Sequence, residues 1–318
     1  MRSVLMSGAS GLLGRTIGSA LRAKDMRIVT LVRETPRRAD AIEWKPEAGL
    51  IAGHKAIAGH EAIAGHEAIE GFDAVIHLSG ANVSGRRWSR AFKREIVESR
   101  VTSTRVLAEA LARLRRKPSV LLTASAIGFY GDRGGEVLDE EARRGEGFFP
   151  ELCEAWERAA QPAVDAGIHV VHLRFGVVLS RSGGALAQML PLFKLGLGGK
   201  LGSGRQWMSW VSEADVVGAT LFALNAEGKG ANLSGPVNVV APQAVTNAQF
   251  TRELGHVLRR PTVMTAPAFA LRLAFGEMAD EALLASTHAV PARLINAGYV
   301  FHNPRLADGL HEALSPRS

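Results

Sequence analysis

The chain has 318 residues, 47% of them hydrophobic and 22% charged, with 34 glycines, a composition that suits a globular protein with a sizeable core and excludes collagen-like and disordered classes. Its longest apolar runs, such as the one around Ser119–Ala124, fall far short of the ~20 residues a membrane-spanning helix needs. The N-terminus lacks the pattern of a secretory leader, so a cytoplasmic protein without a membrane partner is expected. Cys153, the single cysteine, excludes an internal disulfide and a thiolate metal cluster, and the formal charge of +7 raises nucleic acid or an anionic ligand as a partner.

The apolar run Ser3–Met6 ends in Ser7-Gly8 and is followed by Leu12, Leu13, Ile17, Ala20 and Leu21 at helical spacing. A second run, Ile28–Val32, completes a strand–helix–strand unit. Further strands are expected at Ala41–Trp44, Ala74–Leu78, Val120–Thr123 and His169–Leu173. A long helix beginning at Arg86-Arg87-Trp88 should carry Trp88, Phe92, Ile96, Leu107, Leu111 and Leu114 on one side. This alternation predicts an α/β, Rossmann-type doubly wound parallel sheet over residues 1–180. Residues 181–318 turn to Gly-rich loops, a short strand at Val237–Val240 and helices at Asn247–Leu258 and Ala268–Phe275. They are expected to form a smaller C-terminal α/β substrate lobe with a helical end, interleaved with the first domain.

Four tandem hexapeptides, IAGHKA, IAGHEA, IAGHEA and IEGFDA, fill residues 51–74. As a metal site they would use His54, His60 and His66, but on a strand successive imidazoles stand about 20 Å apart, and on a helix they point different ways. A β-helix would need more copies. A lengthened surface loop is the expectation, with no metal.

Gly8-Ala9-Ser10-Gly11-Leu12-Leu13-Gly14 lies between strand and helix. Gly8 permits a tight turn, Gly11 lets backbone approach a pyrophosphate, Gly14 allows close helix–sheet packing, and the free N–H groups around Ser10, Leu12 and Leu13 face the phosphates. Where an NAD site would carry an acid, the second strand ends in Val32-Arg33. Arg33, backed by Arg37 and Arg38, matches a 2′-phosphate, so NADP(H) is the expected cofactor. The small residues of Leu78-Ser79-Gly80 fit against adenosine or its ribose, and Glu95 and Arg100 on the long helix are candidates to face the same cleft.

These motifs, with Thr123–Gly131 (TASAIGFYG) and Arg174–Leu179 (RFGVVL), resemble the extended, epimerase-like short-chain dehydrogenase/reductase family. Arg87-Trp88, Gly196–Trp210, Gly235-Pro236-Val237-Asn238 and Gly276-Glu277-Met278 resemble its atypical subfamily of epimerase family proteins, some labelled nucleoside-diphosphate-sugar epimerases and some linked to bacterial or plastid division. The resemblance implies NADP binding by Val32, Arg33, Leu78, Ser79, Glu95, Arg100 and Val178. It also implies that Ser125 matches the serine that orients a substrate oxygen. The family's Tyr-x-x-x-Lys pair, which transfers a proton and holds the ribose, is replaced by Phe149 and Cys153 when Glu157 is set against the acid that commonly follows that lysine. Tyr130 takes the proton-transfer role only if its turn swings the hydroxyl toward the nicotinamide. Cys153 reads either as a nucleophile or as a small core residue.

Gly202–Val211 corresponds to the nucleotide-sugar loop of epimerases, without the usual arginine near Met208 but with Lys200 and Arg205 close by. Trp207 and Trp210 read equally as ring-stacking or packing residues, and Asp215 as a helix cap. Two functions remain: an NADP(H)-dependent oxidoreductase or epimerase of an unidentified small molecule, with Ser125 and Tyr130 as its candidate catalytic residues, or a catalytically silent NADP(H)-sensing or interaction protein. No nucleic-acid module is recognisable, and a monomer or homodimer is expected. Residues 1–117 hold 21 Lys+Arg against 12 Asp+Glu, and the remainder 17 against 19. The positive excess therefore reads as an anion-attracting dinucleotide lobe.

Overall fold

A computed structural model describes residues 2–36, 38–51, 68–225, 230 and 233–315. The opening apolar run forms β1 (Ser3–Ser7), followed by α1 (Leu12–Arg22), β2 (Arg27–Val32), β3 (Ala41–Lys45) and the short β4 (Leu50–Ile51). Most of the hexapeptide repeat, residues 52–67, lies outside the described residues. The chain continues through β5 (Ala74–His77), α2 (Arg90–Ala112), β6 (Val120–Ala126), α3 (Phe148–Arg158), α4 (Gln161–Asp165) and β7 (His169–Phe175). These strands read as continuous apolar runs because both sheet faces are covered: Val4 and Met6 of β1 join one layer with Ile17 and Leu21, while Leu5 joins the other with Leu107 and Leu111.

The long helix starts later than expected. Ser89 is its N-cap, its hydroxyl accepting from the Phe92 N–H at 3.1 Å, so Arg86, Arg87 and Trp88 precede the helix. Helices α5 (Gly184–Lys194) and α6 (Glu213–Leu224) follow β7, and then the strand expected in the second lobe, β8 (Gly235–Val239), pairs in parallel with β7 at the edge of the main sheet. The sheet order is β8-β7-β6-β5-β1-β2-β3-β4, with only β4 antiparallel among its members. Strand order reverses between β1 and β5, and such a switch point opens a crevice at the carboxyl ends of the strands. The doubly wound α/β fold is thus the observed one.

The C-terminal part adds α7 (Asn247–Leu258), α8 (Ala268–Phe275), α9 (Ala292–Asn296) and α10 (Leu306–Leu314). It also adds two-stranded ladders, among them Gly199–Leu201 with Met264–Ala266. Asp215 is not the cap of α6. Ser212 is, and Asp215, fully buried three residues on, accepts from the Ser212 hydroxyl, the Tyr299 hydroxyl and the His302 and Asn303 N–H groups, tying the C-terminal tail to the helix. Among the described residues no helix is long and apolar enough to cross a membrane.

His77 lies buried between Ser7 (Nδ1 to Oγ, 2.6 Å) and Ser103 (Nε2 to Oγ, 3.2 Å). The Ser103 hydroxyl donates to the Ser99 carbonyl at 2.7 Å, so it accepts from Nε2–H and leaves Nδ1 to accept from Ser7. Burial pushes the imidazole pKa down to about 3. The unfolded chain therefore takes up a proton at His77 below its ordinary value of 6.5 while the folded chain does not, and stability falls as pH drops from there toward about 3. Urea unfolding of the wild type should show a slope of about 1.4 kcal/mol per pH unit from this group across that window, absent from His77→Gln; identical pH profiles would refute the assignment.

Candidate functional site

At the carboxyl end of β1 the chain turns at Gly8 with φ +70°. A Cβ there would stand 2.6 Å from the Leu78 carbonyl and 2.9 Å from the Ser79 nitrogen, and one at Gly14 would stand 2.1 Å from the Gly8 oxygen. The glycine turn thus presses directly on the residues after β5. The Gly11 N–H closes the turn on the Gly8 carbonyl at 3.1 Å. No side chain caps the first turn of α1, where Leu12 and Leu13 sit, which leaves N–H donors for an external anion. Ser10 is tethered through its carbonyl to Arg15 Nη1 at 2.5 Å.

Arg100 supports the other wall. Its Nη2 donates to the Ala81 carbonyl at 2.9 Å, its guanidinium lies 5.1 Å from the Trp156 ring, and Gly80 leaves room for it. Burial lowers its pKa to about 10. Val178 pairs with Val211, and nearby Gly183 packs on the Leu12 side chain. Gly8–Gly14, Leu78–Gly80, Arg100 and Val178 therefore surround one crevice. Val32 is half-buried at the end of β2 and Arg33 is exposed, without an ion pair among the described residues. Two expectations change here. Arg38 is not available beside Arg33, because Asp40 holds it in a two-pronged pair at 2.9 and 2.6 Å; Arg37 lies outside the described residues. Glu95 is exposed and ion-paired with Arg86.

The end of β6 carries the second cluster. Ser125 Oγ donates to Glu157 Oε1 at 2.6 Å, and Arg174 grips the same carboxylate through Nε (2.7 Å) and Nη2 (2.8 Å). Arg174 and Glu157 are 3 and 11% exposed. Burial opposes the Arg174 charge, but the hydrogen bonds and charge of Glu157 outweigh it and raise the guanidinium pKa. Arg174 also lies 3.5 Å from the Phe129 ring centroid and donates to Tyr130 Oη at 3.0 Å. Tyr130 in turn donates to Asn238 Oδ1 of β8 at 2.8 Å. The swing toward a nicotinamide does not occur: Tyr130 is fully buried, both hydrogen-bonding roles of its hydroxyl are filled, and burial pushes its pKa up to about 12. Tyr130 is thus a buried hydrogen-bond partner of Arg174 and not a group free to move a proton.

Phe149 and Cys153 face the turn after Ser125, where the missing side chain of Gly128 makes room for both. Phe149 and Phe148 pack edge-on to Trp88 at 5.1 and 5.0 Å. The Cys153 thiol is buried, and burial, followed by the Glu157 charge, pushes its pKa up to about 12. This is the core reading of Cys153, not the nucleophile. Later in the chain Trp210 is a core residue whose Nε1 donates to the Gln243 carbonyl at 2.8 Å, while half-buried Trp207 stacks on His288 at 4.1 Å. The Glu157–Arg174 pair was missed from sequence. Its signal was an arginine inside the apolar strand HVVHLRF, since a buried guanidinium demands an acid.

A doubly wound sheet with a glycine turn at its switch point defines a nucleotide-binding α/β protein. The NAD-dependent epimerase/dehydratase family matches residues 4–239, and a domain of unknown function (DUF1731) matches 266–313. An epimerase family protein of Mycobacterium bovis is 43% identical over 96% of both chains, and human epimerase family protein SDR39U1 is 31% identical over 98% of this chain and 99% of its own. The crystal structure of that human protein (isoform 2) with NADPH matches with a TM-score of 0.85 at 29% identity over 98% of both chains. A nucleoside-diphosphate sugar epimerase from Corynebacterium glutamicum matches at 0.75 and 32% over 98% of this chain and 58% of the other. The chain belongs to the NAD-dependent epimerase/dehydratase family.

Arg174→Met strands the Glu157 carboxylate and should cost about 3–5 kcal/mol in denaturant unfolding, whereas the double change Arg174→Met, Glu157→Leu should recover most of it; equal losses would deny the pair its coupling. Cys153 should resist a thiol reagent in the native protein and react promptly once the chain is unfolded in urea. Fast native labelling would remove its core assignment.

Proposed function

We propose that the chain is an NADP(H)-dependent oxidoreductase or epimerase of a small molecule, its cofactor lying across the β1–β5 crevice. The observation that carries this reading is the cradle at Gly8 and Gly14: any Cβ there would meet backbone within 2.6 Å or less, and the uncapped first turn of α1 offers N–H donors that suit a pyrophosphate. Arg33 holds the position from which a guanidinium grips a 2′-phosphate. The NADPH in the human relative's crystal structure supports the same choice. When bound, that cofactor would supply hydride-transfer chemistry, with Gly8, Gly11, Gly14 and Arg33 as the residues that would hold it.

What the protein's own residues contribute there is narrow. Ser125 gives its hydrogen to Glu157, so its oxygen meets a ligand only as an acceptor and suits a substrate hydroxyl that donates to it. Phe149 brings no titratable proton, and Cys153 brings no positive charge to a ribose. This apolar pair favours a second reading, an NADP(H)-sensing or interaction protein that retains the nucleotide and has lost turnover.

NADPH should bind about tenfold or more tightly than NADH in nucleotide titrations, and Arg33→Asp should abolish the difference. Equal wild-type affinities would overturn the cofactor preference. Two screens separate the readings: carbonyl compounds followed by NADPH oxidation, and nucleotide sugars followed by change of sugar configuration, since epimerisation consumes no cofactor; turnover in either supports the enzyme, and tight binding without turnover in both supports the sensor.

A further inference from the structure

The 17 Lys+Arg against 19 Asp+Glu of residues 118–318 conceal two acid-free stretches. Residues 180–212 hold four Lys or Arg and residues 254–276 hold three, with no Asp or Glu in either. The fold joins them through the ladder of Gly199–Leu201 with Met264–Ala266 and through Arg260 Nε, which donates to the Lys194 carbonyl at 2.8 Å. Arg272 is paired with Asp280, whereas Lys194, Lys200, Arg205, Arg259 and Arg260 have no ion pair among the described residues.

The same stretches leave large apolar side chains uncovered. Leu195, Val263, Phe269 and Leu273 are 73, 83, 72 and 75% exposed, and Leu192 is 55% exposed. Leu192 lies on α5 and Phe269 and Leu273 on α8, and both helices touch the segment between β5 and α2. On α5, Gln188 donates to Ser84 Oγ at 3.0 Å, and Leu192 lies one turn further along the same face. On α8, the Leu273 carbonyl accepts from Arg87 Nη1 at 3.1 Å, and just beyond it Lys93 pairs with Glu277 at 2.6 Å. The segment that leads from β5 into α2 is thus touched by α5 and by α8, and apolar surface with unpaired cations borders the way to the site.

We propose that this opening binds an amphipathic anion, an apolar chain or ring system lying on Leu192, Phe269 and Leu273 with a phosphate or carboxylate that reaches Lys200 or Arg205. The inference rests on the crevice being the cofactor and reaction site, and it makes the substrate an apolar molecule with an anionic group instead of a nucleotide sugar. Charge complementarity selects this occupant, because the border is cationic and carries no acid within either stretch. A second copy of the chain fits less well: a two-fold interface would set the same unpaired cations against one another. A bilayer also fits less well, since α8 has eight residues and spans about 12 Å, shorter than typical interfacial helices.

The test is calorimetric titration of the NADPH-loaded protein with monomeric dodecyl phosphate, dodecanol and UDP-glucose. Saturable one-to-one binding of dodecyl phosphate, at least tenfold weaker for dodecanol and weaker still for UDP-glucose, is expected. Leu273→Asp and Lys200→Glu should each weaken dodecyl phosphate about tenfold while leaving NADPH affinity unchanged, which also shows that the variants fold. Tighter binding of UDP-glucose, or affinity for dodecyl phosphate untouched by both variants, overturns the proposal. So does binding to anionic phospholipid vesicles without saturable binding of the monomeric probe, or a dimer in solution that Leu273→Asp dissociates. NADPH titration of the same protein keeps the two readings apart: loss of NADPH binding with dodecyl phosphate binding intact counts against the cofactor alone.

Discussion

The two-pronged pair of Arg174 and Glu157 is the contact on which the arrangement around Ser125 depends. Arg174 sits in β7 among apolar neighbours, where an unpaired guanidinium would be costly enough to threaten a domain of ordinary stability. Glu157 reaches it from the last turn of α3 and thereby fixes that helix over the end of β6. The same carboxylate takes the Ser125 hydrogen, so the orientation of the serine follows from the need to neutralise an arginine. On its other side Arg174 meets Tyr130, and Tyr130 meets Asn238, whose N–H donates to Glu140 at 2.9 Å. A strand from the later part of the chain is thus keyed into the main sheet by polar contacts with precise partners, in addition to its ladder with β7.

Much of the fold was legible because its signals are local. Parallel strands covered on both faces read as unbroken apolar runs, and α7 and α8 have the boundaries that periodicity indicates, Asn247–Leu258 and Ala268–Phe275. The glycine turn was legible for a different reason: a Cβ at Gly14 has nowhere to go, so the residue type itself reports the close approach. What escaped were pairings across long separations. Nothing near Lys93 announces Glu277, and nothing near Phe149 announces that Glu281 accepts from its N–H at 3.1 Å. The start of α2 is hidden for a related reason: Trp88 continues the apolar stripe in sequence, yet Ser89 caps the helix after it and Trp88 packs against α3 from outside.

The same limitation governs the charges. A net count treats every arginine of the cofactor half as a possible anion ligand, yet Arg38 and Arg86 are held by acids and Arg100 by backbone carbonyls. Pairing depends on geometry, so a surplus of charge identifies a region and not a site. Conversely, the near balance of the later residues hides acid-free stretches, because acids elsewhere in that part cancel them in the sum.

These constraints give the crevice a definite polarity. At the glycine turn the free groups are backbone N–H donors at a helix start, a pattern that receives an anion and can offer nothing to a hydroxyl hydrogen. At the end of β6 the position is reversed, since the Ser125 hydrogen is committed to Glu157 and its oxygen is left to accept. Phe149 and Cys153, packed on the turn after Ser125 at Gly128, bring neither a titratable hydroxyl nor a positive charge to that end. The two ends of the crevice therefore differ in kind, one presenting donors to an anion and the other an acceptor oxygen backed by a buried carboxylate.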